Sequence, residues 1–220
     1  MVSDPSILRV FVNEDGEWGN LLAVFLDGGA VPEAERQGVA AELGFSETVF
    51  VDDRAGGRLR IYTPLVELPF AGHPAVGAAW LLAQEGSPVD TLQTPAGEVA
   101  VRYAGAETYV AARPEWAPPF EYRRLGAPAE VRALYPATAE RNTYVWSWID
   151  ESAGTVRARS FVPEAGITED EATGSAAIGL CARLGRSLAI HQGHGSVLRC
   201  LPIADGRVEV GGGARAFESR

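Results

Sequence analysis

Two short stretches hold most of the residues able to do chemistry. TEDEATGS, Thr168 to Ser175, sets Glu169, Asp170 and Glu171 ahead of Thr173-Gly174-Ser175 and a small-residue apolar helix, AAIGLCARL. PFAGHP, Pro69 to Pro74, sets Gly72 and His73 ahead of a similar helix, AVGAAWLLA. A helix start presents unpaired N–H groups and a partial positive charge, which together favour an anion. Glycine there lets a ligand approach the backbone closely. Two such starts facing one cleft would grip a carboxylate with no basic side chain. The plainer alternative is that Thr173 and Ser175 cap a helix and the glycines serve packing.

His73 has the side chain that titrates closest to neutrality, suited to proton transfer or to holding a substrate heteroatom; a satisfied, partly buried histidine is the alternative. Asp170 either orients that histidine, binds a substrate amine, or is one more charge of an acidic loop. Glu47, in GFSETVF, opens a strand among Phe45, Val49 and Phe50. Loss of solvation there would raise its pKa toward the range useful for proton transfer; otherwise it is a solvated strand-end glutamate. His191 and His194, in HQGH, lack a carboxylate or cysteine at familiar ligand spacing, so no metal site is expected. Cys181 and Cys200 read as small core residues, and the Trp146-x-Trp148 pair as one face of a strand.

Composition narrows the classes further. The 220 residues carry a net charge of −10, which argues against a nucleic-acid or anionic-membrane partner. All 19 basic residues are arginines. Without lysine there is no internal pyridoxal-phosphate Schiff base, no Schiff-base aldolase and no Walker-type phosphate loop. The glycine-rich stretches lack a strand–GxGxxG–helix context, so no dinucleotide site or other cofactor is expected. No apolar run approaches the roughly 20 residues of a membrane helix. No secretory signal is evident, and two cysteines make no disulfide framework, so a cytoplasmic protein is expected.

The elements that must position these residues come in two copies. RLRIYTP (Arg58 to Pro64) and RARSFVP (Arg157 to Pro163) share Arg-x-Arg-x-aromatic-x-Pro, and each leads through a loop to glycine and an apolar helix. The second loop is three residues longer. Upstream, VPEAERQGVAAELG and GAPAEVRALYPA read as helices, the first stopped by Gly44. ILRVFVN, LLAVFLD, ETVFVDD, EVAVRY, ETYVAA, NTYVWSWID, SVLRCLP and RVEVG read as strands. Helices apolar all round are buried on every side, so strands enclosing a central helix satisfy both patterns. The expected fold is α+β, two pseudo-symmetric lobes with a cleft between them. The lobes are 1–112 and 121–220, joined by the proline-rich linker 113–120, with the last strand free to return to the first lobe.

The succession GEWGN, FSETVFV, RIYTPLVELPFAGHPAVGAAWLL, RSFVPEAGITEDEATGSAAIGL and VEVGGGA resembles the PhzF-like, phenazine biosynthesis-like family over nearly the whole chain. The resemblance implies the diaminopimelate epimerase fold, in which each lobe is a curved sheet wrapped round a central helix. It also implies a homodimer and a cofactor-free isomerase acting on a small carboxylic acid. By resemblance, Glu47 moves a proton between carbons. His73, Asp170 and Ser175 complete the catalytic set, and Asn20, Ser46, Gly72, Thr173 and Gly174 bind substrate. Two-thiol racemisation is not expected, because Gly72–His73 and Gly174–Ser175 occupy the places of the epimerase thiols. The chain departs from the family pattern at Leu21 and Glu171, where proline is usual, and its second lobe is shortened. A non-catalytic carboxylate-binding protein on the same fold is the alternative.

Overall fold

The computed structural model describes residues 4–135 and 139–217; the outermost ends of both expected lobes fall outside it. The first lobe is a closed eight-stranded barrel. Its strands are β1 (Ser6–Val12), β2 (Asn20–Phe25), β3 (Glu47–Asp53), β4 (Arg58–Tyr62), β6 (Thr91–Thr94), β7 (Gly97–Ala104), β8 (Glu107–Ala112) and β15 (Val208–Ala216), and the β1–β15 pairing closes the ring. The two-residue β5 (Glu67–Leu68) pairs with β4. Helix α1 (Glu33–Leu43) packs outside and ends at Gly44, which takes the left-handed conformation at φ 67°.

Helix α2 (Gly72–Gln84) runs through the barrel, and ten of its thirteen residues are buried. Small side chains make this enclosure possible. Ala75, Val76, Ala78 and Ala79 are wholly inaccessible, and a Cβ on Gly77 would lie 2.5 Å from Leu22 and 2.8 Å from Val10 on the wall. One extra methyl on that face would have to displace the buried Leu22 and Val10 side chains.

The second lobe repeats the order β2-α1-β3-β4-β5-α2-β6-β7-β8. Its elements are β9 (Glu121–Arg124), α3 (Pro128–Ala133), β10 (Thr143–Asp150), β11 (Thr155–Val162), β12 (Ile167–Asp170), α4 (Gly174–Leu184), β13 (Leu188–Gln192), β14 (Ser196–Pro202) and again β15. The pairings repeat too: β2 with β3 and β9 with β10 are parallel, as are β4 with β6 and β11 with β13. The twin Arg-x-Arg motifs hold equivalent ion pairs, Arg60 to Glu67 and Arg159 to Glu169. Among the described residues no counterpart of β1 follows β9, so this sheet stays open at β9. Tyr122 of β9 covers α4 there, its hydroxyl donating to Ala176 O at 3.1 Å and lying over Gly179. Strand β15 belongs to both lobes, pairing with β1, β8 and β14.

The molecule is therefore α+β with two related halves. The short helix differs from its sequence reading. It stops at Ala133, Leu134 turns extended, and Arg159 donates to the carbonyls of Val131, Arg132 and Leu134. Tyr135 precedes a proline, which disfavours helix at that point; Pro136 and Ala137 lie outside the described residues. The linker contains a single 3₁₀ turn, Pro114–Trp116. Among the described residues, no helix is long and apolar enough to cross a membrane.

Candidate active site

The starts of the two central helices meet. A Cβ built on Gly72 would lie 3.2 Å from the Cα of Gly174, and one on Gly174 would lie 3.1 Å from the Cα of Gly72. Packing of helix start on helix start therefore accounts for both glycines. The same contact superposes two partial positive charges of about half an elementary charge each. Neither start is capped by a side chain: Ala71 has none to offer, and the Thr173 hydroxyl turns elsewhere. The capping alternative for Thr173 does not hold, and the positive field is left for carboxylates.

Three titratable groups stand at this junction. Glu47 is the first residue of β3 and His73 the second of α2. Their Oε2 and Nε2 atoms lie 3.3 Å apart, with side chains 16% and 5% exposed. Neither atom has a hydrogen-bond partner among the described residues. Burial raises the Glu47 pKa from 4.5 to about 7, against the opposing hydrogen bond of Ser46. Burial lowers that of His73 from 6.5 to about 4, with the negative charge of Asp170 opposing. Near neutrality the imidazole is thus uncharged, and Glu47 lies midway between acid and carboxylate.

Asp170 ends β12 and is held on both oxygens. Asn20 Nδ2 donates to Oδ1 at 2.7 Å and to Ala172 O at 3.0 Å, while the Thr173 hydroxyl donates to Oδ2. Burial raises its pKa, the Thr173 bond lowers it, and the nearby Glu47 charge raises it; the net direction is up. Behind it, Gln192 Nε2 donates to Thr173 Oγ1 and to Asp170 O, both at 2.9 Å, and Tyr144 OH donates to Gln192 Oε1 at 2.9 Å. Gln192 and Tyr144 are fully buried.

Glu171, where the resembling family has proline, forms a second cage. Its carboxylate accepts from the backbone N–H of His194, Gly195 and Ser196, from the Ser196 hydroxyl at 2.8 Å, and contacts His194 Nδ1 at 2.9 Å. Burial raises its pKa, but these donors outweigh burial and the net direction is down. Ser196 Oγ in turn accepts from Gly19 N at 2.9 Å, and the His194 ring stacks on Trp18 with centroids 5.2 Å apart. Trp18 sits at φ 63°, an unusual backbone for a bulky side chain, held by that stack. The strap ties the loop before Asn20 to the turn after Gln192, bridging the lobes beside Asp170.

Of the residues picked from sequence, the fold joins Asn20, Ser46, Glu47, Gly72, His73, Asp170, Thr173 and Gly174 in one cluster. Ser175 follows Gly174 on the same helix start, is half-buried, and is tied by hydrogen bonds to none of these groups. His191 points outward and His194 serves the strap. Cys181 and Cys200 are both buried free thiols. Sequence reasoning passed over Gln192 and Tyr144. One signal was present: in LAIHQ, Leu188, Ile190 and Gln192 share the inward face, and an amide at the third position needs a buried partner.

A family model described as phenazine biosynthesis-like protein, PhzC-PhzF, matches residues 9–144. That match contains Asn20, Ser46, Glu47, Gly72 and His73. The trans-2,3-dihydro-3-hydroxyanthranilate isomerase of Pseudomonas fluorescens is 32% identical over 211 residues, covering 76% of this chain and 75% of that protein. An uncharacterized isomerase of Pasteurella multocida is 46% identical over 87 residues, and there the match spans 37% of this chain and only 30% of that protein. A putative phenazine biosynthesis PhzC/PhzF protein from Clostridium difficile superposes with a TM-score of 0.79 at 21% identity, covering 98% of this chain and 97% of that one. Similarity at that level concerns the fold. Taken with the family match and the isomerase relative matched over three quarters of its length, it establishes that the chain belongs to the phenazine biosynthesis-like family, and the curated relatives named here are isomerases.

Proposed function

We propose that the protein is a cofactor-independent isomerase of a small unsaturated carboxylic acid, working by proton transfer through Glu47. The observation that carries this reading is the pairing of a buried Glu47, its pKa about 7, with a neutral His73 at two abutting helix starts. A carboxyl poised near the working pH both takes and returns a proton without a large energetic step either way.

Ionised Glu47 removes the proton from a substrate carbon next to the unsaturated system, and the electron pair moves into that system. The Glu47 acid then delivers the proton to a different carbon, restoring the carboxylate. The helix starts hold the substrate's carboxylate and favour the negative charge that spreads over it after deprotonation. Neutral His73 hydrogen-bonds a substrate hydroxyl or amine, and Asp170 anchors an amine. General acid–base action supplies typically 10²–10⁴-fold; orientation between the lobes supplies the remainder. The relative from Pseudomonas fluorescens directs the choice of first substrate, trans-2,3-dihydro-3-hydroxyanthranilate.

Proton NMR of that compound with the protein in D₂O tests the reading. Isomerisation with deuterium incorporation is expected, with kcat/KM rising through about pH 7 as Glu47 ionises. Glu47→Gln should remove turnover while leaving binding within about tenfold. Turnover by Glu47→Gln near that of the unaltered protein would overturn the role of Glu47.

A further inference from the structure

We infer that Gln192, with Tyr144 and Thr173, is a positioning element that fixes where the proton of the active site resides, by forcing Asp170 to accept hydrogen bonds on both carboxylate oxygens. The Gln192 amide is oriented by its neighbours. It lies 2.9 Å from Asp170 O, a backbone carbonyl that can only accept, so the amide atom facing it is the NH₂ group. Gln192 Oε1 therefore faces the other way, where it takes the Tyr144 hydroxyl hydrogen at 2.9 Å.

The second NH₂ hydrogen points at Thr173 Oγ1, also at 2.9 Å. A hydroxyl that accepts there must send its own hydrogen outward, and Asp170 Oδ2 receives it. Asn20 Nδ2 occupies Asp170 Oδ1, and an amide nitrogen can only donate. Both oxygens of Asp170 thus face committed donors. A proton added to either would weaken that oxygen as an acceptor for its donor, so the network favours the carboxylate over the neutral acid. Tyr144, Thr173 and Gln192 are all buried, which removes water as a substitute partner that could relax the constraint.

The consequence concerns Glu47. Asp170 faces two other titratable groups, Glu47 on β3 and His73 at the start of α2; Tyr144 on β10 lies farther back, beyond Gln192. Two carboxylates and one imidazole in a buried site compete for protons, and like charges push one carboxyl to stay neutral. With donors on both oxygens holding Asp170 toward the anion against its burial, the mobile proton falls to Glu47, the group with an unpartnered oxygen aimed at His73. If Gln192 loses its amide, the Thr173 hydroxyl turns freely and Asp170 is able to hold the proton instead.

The inference rests on the reading of Glu47 as proton carrier, but its test needs no turnover. The full chain is labelled with ¹³C at its aspartate and glutamate carboxyls and titrated by NMR from pH 4 to 9. The Asp170 and Glu47 signals are identified by their loss in Asp170→Asn and Glu47→Gln. In the unaltered protein Asp170 is expected to titrate below Glu47. In Gln192→Met, close in size but without the amide, the Asp170 midpoint should rise by about one pH unit, a tenfold gain in proton affinity, and the Glu47 midpoint should fall. Thr173→Val should reproduce both shifts, and Thr173→Ser, which keeps the hydroxyl, should restore the original order. A merely structural role would lower stability without reordering the two midpoints. Unchanged Asp170 and Glu47 midpoints in folded Gln192→Met, or equal shifts in Thr173→Ser and Thr173→Val, would overturn the inference. If the unaltered protein shows the expected order yet turns over no substrate, the proposed function fails while this inference stands.

Discussion

Replacing Glu47 by glutamine removes a charge that the fold holds only against burial, and the size of that opposition follows from its pKa. The ordinary value is 4.5 and the folded value about 7. Between those limits the folded protein keeps a proton that the unfolded chain has lost, so stability falls as pH rises through the interval. The whole interval corresponds to about 3 kcal/mol, fully lost above about pH 7. His73 acts in the opposite sense. Its ordinary value is 6.5 and its folded value about 4, so the unfolded chain binds the extra proton and stability rises with pH across that interval, by a similar amount. In the unaltered protein the two slopes cancel over most of the range from pH 4.5 to 6.5. In Glu47→Gln only the histidine slope remains. The variant should match the unaltered protein near pH 4, gain on it steadily, and be about 3 kcal/mol more stable at pH 8. Urea unfolding followed by tryptophan fluorescence, at fixed ionic strength and a series of pH values, measures both curves. A variant no more stable than the unaltered protein at pH 8 would refute the reasoning, because the carboxylate would then be solvated or paired.

Two further substitutions probe the frame around that pair. Gly72→Ala places a methyl 3.2 Å from the Gly174 backbone. The usual helical preference for alanine should be outweighed by the forced separation of the helix starts, with a net loss of about 1–3 kcal/mol in chemical unfolding; a gain would show that the starts are free to part. Glu171→Ala strips the acceptor from three backbone N–H groups and the Ser196 hydroxyl. It should cost about 2 kcal/mol, with Glu171→Gln losing less, and it should raise the accessibility of Trp18 to an aqueous quencher; unchanged quenching would mean that the strap does not depend on Glu171.

The lobes and their central helices were legible because burial leaves a mark on every residue it touches. AVGAAWLLA is almost wholly buried, while AAIGLCARL is buried in its first two turns and leaves Ala182 and Arg183 exposed at its end. Strands with clear alternation, such as ETVFVDD and TVRARSFVP, lie where the pattern puts them. TLQT of β6 and EYRR of β9 left no such mark, since short strands of polar residues are defined by their neighbours rather than their own sequence. The burial of Glu47 was one of two readings that the apolar residues beside it left open, the other being a solvated strand end. The meeting of Gly72 with Gly174 was not readable, because it depends on two helices about a hundred residues apart arriving end to end. The inward amide of Gln192 was visible in LAIHQ but its partners were not: Asp170 and Thr173 come from the end of β12 and the start of α4, and Tyr144 from β10.

Strand β15 gives the fold a direction in time. Strand β1 is among the first segments of the described chain to leave the ribosome, yet its partner across the barrel seam is β15, where Leu8 meets Ala216 and Val10 meets Ala214. The first lobe cannot shut around α2 until that strand has been synthesised, roughly 200 residues later. The ordinary sequence, in which an N-terminal unit folds while the remainder is still being made, is therefore unavailable here. Without β15 the other seven strands of the first barrel leave the β1 and β8 edges unpaired, and the second lobe's elements from β9 to β14 all precede β15 in the chain. Strand β15 then closes the first barrel against β1 and β8 and continues the sheet into the second lobe at β14. Glu47 and His73 belong to the first lobe and Asp170 to β12 of the second, so a chain that stops short of β12 carries the first two without the third.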